Sequence, residues 1–218
     1  LWDQPLPTAA GAGKGGEFVA TEDAVYVAAG RNCVVLDAAT GKQKALFQLP
    51  DEISGTLVRL RLWKDYLVSD LDKTVICLDR RTGKLLWSFE ASRPELSLAV
   101  GGNRVFVSEL LNTRRGETIE KSGVKTYALD IANGKQSWQG AGGAELRYSE
   151  THDLLLTATA IYKGFDGSVH REAVIADPTK DKWNYKSSGY IAGDSLLIGG
   201  SDNFTMYQLT SGVQLKKK

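Results

Sequence analysis

Two Gly-Lys pairs are the first candidates for chemistry, because a GK pair in a glycine-rich loop is a typical phosphate-binding signature. The first pair lies in GAGKGGEF at 11–18, and the second lies in LDRRTGKLLW at 78–87. A phosphate-binding loop also needs a glycine five residues before the glycine of the pair, Ser or Thr after the lysine, and a following helix. Thr8 and Gly15 occupy these two positions around the first pair, and no helical pattern follows the second. Neither segment therefore predicts nucleotide binding.

The other reactive side chains lack the companions that catalysis or metal binding requires. Cys33 and Cys77 have no CxxC spacing and no histidine close in sequence, so they give no metal or redox signal. His170 is not accompanied by an activated-serine motif such as GxSxG. Almost every acidic residue falls in a turn, so no carboxylate pair for glycoside chemistry can be assigned. The sequence predicts no catalytic, cofactor-binding or metal-ligating residue, and no cofactor.

The composition is that of an ordinary soluble globular chain. Its 218 residues are 42% hydrophobic and 24% charged, and the formal net charge is +1. Such a balance creates no long-range field that would attract nucleic acid or an acidic membrane surface. No signal peptide and no run of 18 or more apolar residues is present, and peripheral or lipid-anchored membrane association stays open. Because the chain starts with Leu1 rather than methionine, we expect processing or excision.

The segment LDRRTGKLLW is one copy of an internal repeat. Clear copies are LDAATGK at 36–42 and LDIANGKQSW at 129–138. A degraded copy is IADPTKDKW at 175–183, and the remnant LTSG lies at 209–212. These copies assign the fourth aspartate of the repeat to Asp177 and the fifth position to Thr210.

A second motif alternates with the first. It consists of Asp or Asn, a variable residue and a mostly apolar run, and it starts at Asp23, Asp65, Asn103, Asp153 and Asp194. The repeating unit is about 43 residues long, which is the period of propeller blades. Short Val, Leu, Ile and Tyr runs broken by Gly, Asp and Asn favour strands over helices. The sequence predicts an all-β propeller of about five four-stranded antiparallel blades in a single domain over 1–218, with blades near 16–49, 50–91, 92–140, 141–186 and 187–216.

Within a blade, whose strands are lettered A to D from the inside outwards, the repeat fits the turn between strands C and D. Gly83 allows the positive φ that a short turn needs. Asp79 and Thr82 can bond the amides of the turn itself. Trp87 then follows on the outermost strand, where it can pack between neighbouring blades. This structural interpretation replaces the binding interpretation of the TGK segment.

The repeated LDxxTGKxxW hairpin, preceded by an alternating VYV strand, resembles the pyrroloquinoline-quinone-like β-propeller repeat family over roughly residues 16–212. This BamB-like family includes quinoprotein alcohol dehydrogenases and the BamB lipoprotein of outer-membrane β-barrel assembly. The resemblance implies a non-catalytic scaffold in the periplasm or another extracytoplasmic compartment. It also implies a protein partner, for example an envelope assembly component.

Two alternative functions stay open beside the scaffold. The first is a quinone-binding dehydrogenase fragment, although the adjacent Cys-Cys disulfide typical of such enzymes is missing and no Ca²⁺ ligand set is recognisable. The second is a ligand-sensing propeller attached to another module. A fold of this kind hosts both enzymes and scaffolds, so the repeat does not choose between them.

The N-terminus bears on how the ring is completed. Trp2 precedes Asp23 by 21 residues, and Ala45, which occupies the tryptophan position of the first blade, precedes Asp65 by 20. Residues 1–5 are thus in register as the outer strand of a blade before the first. In a closed ring they complete the last blade. In a larger ring they belong to a preceding blade.

Two insertions stand out against the repeat. The interval between the strand B and strand C motifs is 14 residues in the first two blades, 27 from Asn103 to Asp130 and 24 from Asp153 to Asp177. Loops between strands B and C open on one face, so the insertions at 110–123 and 160–173 are expected to form one raised lip. Long loops on a rigid scaffold commonly carry function. The candidate partner-binding residues of this lip are Arg114, Arg115, Glu117, Tyr162, Phe165 and His170. The alternative is that each insertion only extends a hairpin into solvent.

The innermost strand of the second blade provides candidate channel residues. In LVRLRLW at 57–63, Arg59 and Arg61 alternate with apolar residues. Because innermost strands line the central channel, both arginines could contact an anion or a carboxylate of a partner. The alternative is that they face a wet channel or pair with an acid of a neighbouring blade.

Overall fold

Four-stranded antiparallel sheets made of consecutive strands build the described part of the molecule. The computed structural model describes residues 2–3, 17–115, 118–143, 146–157, 160–172, 189–199, 204–211 and 214–217. Over these residues the chain contains twenty strands in five sheets and no helix. None of this part could therefore cross a bilayer as an apolar helix. The predicted all-β architecture of propeller blades is confirmed.

Each sheet is a simple meander in which every strand pairs with the next one along the chain. The strands of the first two sheets are β1 (Phe18–Ala20), β2 (Ala24–Ala29), β3 (Asn32–Asp37), β4 (Gln43–Gln48), β5 (Leu60–Trp63), β6 (Tyr66–Leu71), β7 (Thr74–Asp79) and β8 (Leu85–Glu90). Those of the third and fourth are β9 (Leu96–Gly101), β10 (Arg104–Arg115), β11 (Thr118–Asp130), β12 (Gln136–Ala141), β13 (Arg147–Ser149), β14 (Leu154–Leu156), β15 (Ala160–Lys163) and β16 (Val169–Glu172). The fifth contains β17 (Gly189–Ala192), β18 (Ser195–Gly199), β19 (Phe204–Gln208) and β20 (Gln214–Lys217).

The hydrophobic core lies between neighbouring blades. Strands β1, β5, β9 and β13, the first strands of four successive sheets, lie against one another on the inside of the arrangement. The middle strands are covered on both faces, so β3 and β7 are buried at four consecutive positions, whereas the outer strand β8 alternates between covered and exposed residues. Burial between blades thus selects continuous apolar runs in the middle strands.

Both cysteines belong to these inter-blade cores. Cys33 packs in the core between the first and second sheets and Cys77 in the core between the second and third. Burial raises the pKa of each thiol to about 12. Because the thiolate is the reactive form, both side chains behave as small apolar residues.

The turn between strands C and D has the same geometry in four blades. In the second blade the amide of Gly83 donates to the carbonyl of Asp79 at 2.8 Å, and the amide of Asp79 donates to the carbonyl of Lys84 at 2.9 Å. Gly83 has φ of 72°, and the equivalent Gly41, Gly134 and Gly167 all have φ of 71°. Glycine populates this left-handed region without the penalty that a Cβ brings. The predicted turn role of the repeat is confirmed in the first three blades.

The fourth copy of this turn lies at 163–167, which corrects the sequence interpretation. The amide of Gly167 donates to the carbonyl of Lys163 at 3.0 Å, and Leu154 pairs with Lys163 as Tyr66 pairs with Asp79. Lys163 therefore occupies the position assigned to Asp177, which lies outside the described residues together with the rest of 175–183. A pairing of the same kind joins Ser195 to Gln208, so the fifth position belongs to Gln208 and not to Thr210.

In two blades, a tryptophan of the outer strand donates a hydrogen bond to the following blade. The indole Nε1 of Trp87 donates to the carbonyl of Ile131 at 2.7 Å, and that of Trp138 donates to the carbonyl of Gly164 at 2.8 Å. Both acceptors directly follow the first residue of the turn. In the first blade Ala45 stands opposite Val35, in the tryptophan position, and Phe47 covers the neighbouring turn instead.

Trp2 makes the same contact with the first blade. Its Nε1 donates to the carbonyl of Ala38 at 2.8 Å, and its ring packs beside Val27, Val34 and Leu36. Ala38 follows Asp37 as Ile131 follows Asp130. Trp2 and Asp3 are not in a strand, and the other residues of the predicted outer strand at 1–5 lie outside the described ones.

Candidate functional site

The third blade carries a hairpin that projects beyond its sheet. Strand β9 pairs with β10 only as far as Glu109, and β12 pairs with β11 only from Lys125 onwards. Beyond these points β10 and β11 continue to pair with each other up to Arg115 and Thr118, after a bulge at Glu109 and Leu110. We call residues 110–124 the projecting hairpin. The predicted insertion at 110–123 is thus a continuation of two strands.

Three glycines fix the base of the projecting hairpin. The segment that leads from the third blade to the fourth passes so close that a Cβ on Gly142 would lie 2.2 Å from the amide nitrogen of Val124. A Cβ on Gly123 would lie 2.2 Å from the nitrogen of Gly143, whose amide donates to Ser108 Oγ at 3.1 Å. Real Cβ atoms do not tolerate such distances, so this crossing requires glycine on both segments.

A buried glutamate supports the same region from inside the blade. Glu109 is almost completely covered, and its Oε1 accepts hydrogen bonds from the amide of Ser92 at 2.7 Å and the hydroxyl of Tyr127 at 2.9 Å. Asn112, already on the projecting hairpin, donates to Glu95 Oε1. Arg114 and Arg115 lie in β10 near the hairpin tip, whereas Glu117 lies outside the described residues. The hairpin is therefore a positioned element with charged residues towards its end.

The predicted insertion of the fourth blade is wrong. Residues 160–163 form β15 and residues 169–172 form β16, the third and fourth strands of the blade. Asp153 and Lys163 are only ten residues apart, so this blade has a short connection between its second and third strands. Tyr162 lies within β15 at 6% exposure and belongs to the core.

Phe165 and His170 lie away from the projecting hairpin. Phe165 is in the turn between β15 and β16, and His170 is in β16 with its Nε2 3.2 Å from the carbonyl oxygen of Thr210. This turn lies at the end of the blades where Gly102 and Asn103 connect β9 to β10, whereas the hairpin projects from the other end. The described residues of the predicted lip therefore do not form one surface.

Both candidate channel arginines are held by carboxylates. Arg59 donates from Nε to Asp70 Oδ1 at 3.1 Å and from Nη2 to Oδ2, and its amide donates to Oδ1 at 3.1 Å. Burial lowers the pKa of Arg59, but the hydrogen bonds and charge of Asp70 outweigh it, so the net shift is upwards. Arg61 Nη1 donates to Glu17 Oε1 of the first blade at 2.5 Å. Arg61 thus pairs with an acid of a neighbouring blade, and Arg59 pairs within its own.

These arginines line a cavity beside the first strands of the sheets. It has a volume of about 670 Å³ and is lined by Arg59 and Arg61 of the second sheet, Leu98 of the third, Arg147 and Tyr148 of the fourth and Tyr190 of the fifth. Because Asp70 and Glu17 lie in direct contact with Arg59 and Arg61, the positive charge of these two arginines is largely balanced. The described residues also contain no cluster of three or more His, Cys, Asp or Glu that could hold a metal ion.

The family follows from comparing this architecture and the underlying sequence with known proteins. A family profile described as outer membrane protein assembly factor BamB matches residues 1–163. The chain belongs to this BamB-like family of pyrroloquinoline-quinone-like propellers. None of the curated proteins matches the chain in sequence.

The fold of this BamB-like chain is similar to that of several solved structures. BamB from Moraxella catarrhalis is 15% identical, with a TM-score of 0.59, and the alignment covers 94% of this chain and 63% of that one. The computationally designed protein Ika8 is 16% identical, with a TM-score of 0.64 and coverage of 93% and 61%. A chain of the mitotic checkpoint complex is 14% identical, with a TM-score of 0.64 and coverage of 94% and 62%. The chain therefore spans about three fifths of the length of these neighbours.

Proposed function

We propose that this chain is a non-catalytic propeller scaffold that binds a protein partner outside the cytoplasm, as part of outer-membrane protein assembly. The match to the family named outer membrane protein assembly factor BamB supports this proposal. That name also supports the periplasm as the compartment. The paired arginines Arg59 and Arg61 of the cavity beside the first strands support a structural role for its lining rather than catalysis.

The projecting hairpin is the observation that carries the proposal. Its strands run past β9 and β12, so within the described residues neither of those strands pairs with its outer edges. Leu111 and Val124 are partly exposed at its base, and the sequence places Arg114, Arg115 and Glu117 towards its tip. Arginine and exposed apolar residues are enriched at protein interfaces, and an open strand edge can pair with a strand of a partner.

The experiment shortens the hairpin without disturbing the blade. Because Leu111 pairs with Ser122, replacing residues 112–121 by Asn-Gly restores a two-residue turn of a type that suits hairpins. We expect the shortened chain to keep its thermal unfolding midpoint and to lose the proteins that the full chain captures, by cross-linking, from a bacterial envelope extract. Capture of the same proteins by both chains would contradict the proposal.

Charge and catalysis are tested separately. The double variant Arg114→Glu, Arg115→Glu keeps the hairpin and reverses its charge, and we expect reduced capture that depends on salt concentration. Titration with pyrroloquinoline quinone, followed by absorbance, tests the non-catalytic part of the proposal. Stoichiometric uptake of the quinone would overturn it.

A further inference from the structure

The four equivalent turns of the protein act as internal controls for one another. The third residue of each turn is Ala39 in the first blade, Arg81 in the second, Ala132 in the third and Phe165 in the fourth. All four side chains are exposed. Because alanine serves in two turns with the same backbone geometry, the fold does not require phenylalanine at this position.

Phe165 is nevertheless a large aromatic ring with 70% of its surface exposed. One face of the ring is covered by Arg104, whose guanidinium carbon lies 5.4 Å from the ring centroid. The turn itself is fixed by Trp138, which bonds the carbonyl of Gly164 and lies so close that a Cβ on Gly167 would meet its ring at 2.6 Å. An exposed apolar ring on a rigid support is typical of an interaction site.

Phe165 lines two cavities. The first, of about 590 Å³, is lined among others by Arg104, Asp130 and Trp138. The second, of about 240 Å³, is lined among others by Lys163 and His170 and by the carboxylates of Asp153 and Asp166. A bound segment that crosses the ring would therefore place one side chain in each cavity.

Lys163 reverses the charge found at the same position in three other turns. Asp79 accepts hydrogen bonds there from the amides of Arg81 at 3.0 Å and Thr82 at 2.8 Å. In the fourth blade Asp166 takes over the bonding within the turn and accepts from the amide of Ser168 at 2.8 Å. The turn thus forms without an aspartate in its first position, and this exposed position carries a cation.

The acidic residues around Lys163 are already engaged within the protein. Asp153 accepts from the hydroxyl of Tyr148 at 2.6 Å and pairs with Arg104 at 3.4 Å. The carboxyl of Asp166 accepts hydrogen bonds from Ser168. These hydrogen bonds, and to a smaller extent the charge of Lys163, lower the pKa of Asp166. A further carboxylate from outside would therefore find the exposed Lys163 beside the His170 ring in the smaller cavity.

We propose that Arg104, Trp138, Lys163, Phe165 and His170, which we call the Phe165 site, dock an extended segment of a protein partner that carries a carboxylate next to a large apolar side chain. The carboxylate lies in the smaller cavity beside Lys163, and the apolar side chain packs against Phe165 and Trp138 in the larger one. This site lies at the opposite end of the blades from the projecting hairpin. It therefore adds a second docking surface that does not depend on the proposed role of the hairpin.

The test starts from a random peptide library displayed on phage and selected on the immobilised chain. We expect the enriched peptides to contain Asp or Glu beside an aromatic or large aliphatic residue. The affinity of one enriched synthetic peptide, measured by fluorescence anisotropy, should fall about tenfold or more in Phe165→Ala, as for other aromatic anchors. Lys163→Asp, which restores the residue of the other turns, should weaken binding to a similar extent.

Matched variants separate binding from folding. Phe165→Ala should unfold at the same temperature as the wild type, because Ala39 and Ala132 occupy the same position in other turns. Arg81→Ala, at the equivalent position of the second blade, and the chain with the shortened hairpin should bind the peptide like the wild type.

Three outcomes would overturn the proposal. They are the absence of enriched peptides, equal binding by Phe165→Ala and the wild type, and loss of binding in the shortened chain. Sedimentation with anionic vesicles that depends on Phe165, without any selected peptide, would assign the site to a membrane surface instead.

Discussion

At the scale of single residues, glycine in the turn between strands C and D determines how closely two blades approach. A Cβ on Gly83 would lie 2.3 Å from two carbon atoms of the Phe47 ring, which belongs to the preceding blade. The positive φ of the turn and the contact with the neighbouring blade thus both require a residue without a Cβ at position 83. The same combination applies to Gly134, where a Cβ would meet Trp87, and to Gly167, where a Cβ would meet Trp138.

Replacing Gly83 by alanine should therefore destabilise the protein through two effects. The left-handed backbone disfavours a Cβ, and the Phe47 ring must move to make room, so we expect a loss of about 2–4 kcal/mol. The matched control is Gly193→Ala, which has φ of 57° with nothing within 4 Å of the new Cβ and should lose only about 1 kcal/mol. Urea unfolding measures both values, and equal losses would contradict the role of the contact.

The aspartates of these turns make stability depend on pH. Hydrogen bonds from Thr82 are the largest cause that lowers the pKa of Asp79 below 3.8, and Asp37 is affected in the same way by Thr40. Because the folded state binds these protons more weakly than the unfolded state, the stabilisation is complete above the unfolded pKa. It is lost as the pH falls through the lower folded-state values.

We therefore expect the urea midpoint to fall on acidification from about pH 6 to about pH 3. Asp79→Asn keeps an oxygen that can accept the same amide hydrogen bonds but does not titrate. This variant should lose less stability over the same pH interval than the wild type. An identical loss in both proteins would show that Asp79 does not contribute to the pH dependence.

At the scale of elements, the projecting hairpin depends on the segment that crosses its base. Gly142→Ala would bring a Cβ against the backbone nitrogen of Val124, which cannot move without displacing β11. We expect faster hydrogen exchange in residues 118–126 and a loss of stability of about 1–3 kcal/mol. Gly140→Ala is the control in the same stretch, because its Cβ meets only a Trp138 ring atom at 3.8 Å. Similar exchange in both variants would count against the crossing.

The strands of the first three blades and their turns could be predicted from the sequence because the aspartate, glycine and tryptophan recur at fixed spacing. The fourth blade could not be assigned in this way. Lys163 forms the same backbone turn as Asp79, so the side chain that marks the repeat is dispensable when Asp166 bonds within the turn. The segment at 175–183 resembles the repeat in sequence, so the sequence interpretation places the turn there instead of between β15 and β16.

The burial of Tyr162 and the identity of the acids that pair with Arg59 and Arg61 could not be predicted, for a different reason. Tyr162 has the composition of an exposed interface residue, but a middle strand is covered on both faces and its two alternating sets of side chains are both buried. Pairing with an acid of a neighbouring blade is an open alternative for both arginines in the sequence, and Arg61 follows it with Glu17, which is 44 residues away in sequence. Arg59 instead pairs with Asp70 of the adjacent strand, which the sheet pairing brings opposite. Local patterns contain neither fact.

At the scale of the whole molecule, tryptophan contacts link successive blades. Trp2, Trp87 and Trp138 each donate one hydrogen bond to the blade that follows them in sequence. One face of the first blade is therefore covered by Trp2, which the repeat pattern assigns to the outer strand of a preceding blade. Val27, Val34 and Leu36 are buried at this face.

Removing this cover should affect the first blade. Trp2→Ala exposes apolar side chains, and we expect a loss of about 2–3 kcal/mol together with increased binding of a hydrophobic dye. Trp2→Phe retains most of the apolar contact and loses only the hydrogen bond to Ala38, so about 1 kcal/mol should be lost. Unchanged dye binding in Trp2→Ala would contradict the proposed cover.

The meander order of every sheet has a consequence for how the protein forms. Each strand finds its partner in the next stretch of chain, so no blade has to wait for a distant segment, and the entropy of loop closure stays small. A blade can thus assemble while the following one is still being synthesised. Its last strand then presents Trp87 or Trp138 to the incoming blade, which would make folding directional, from the N-terminus to the C-terminus, along a sequence of similar steps.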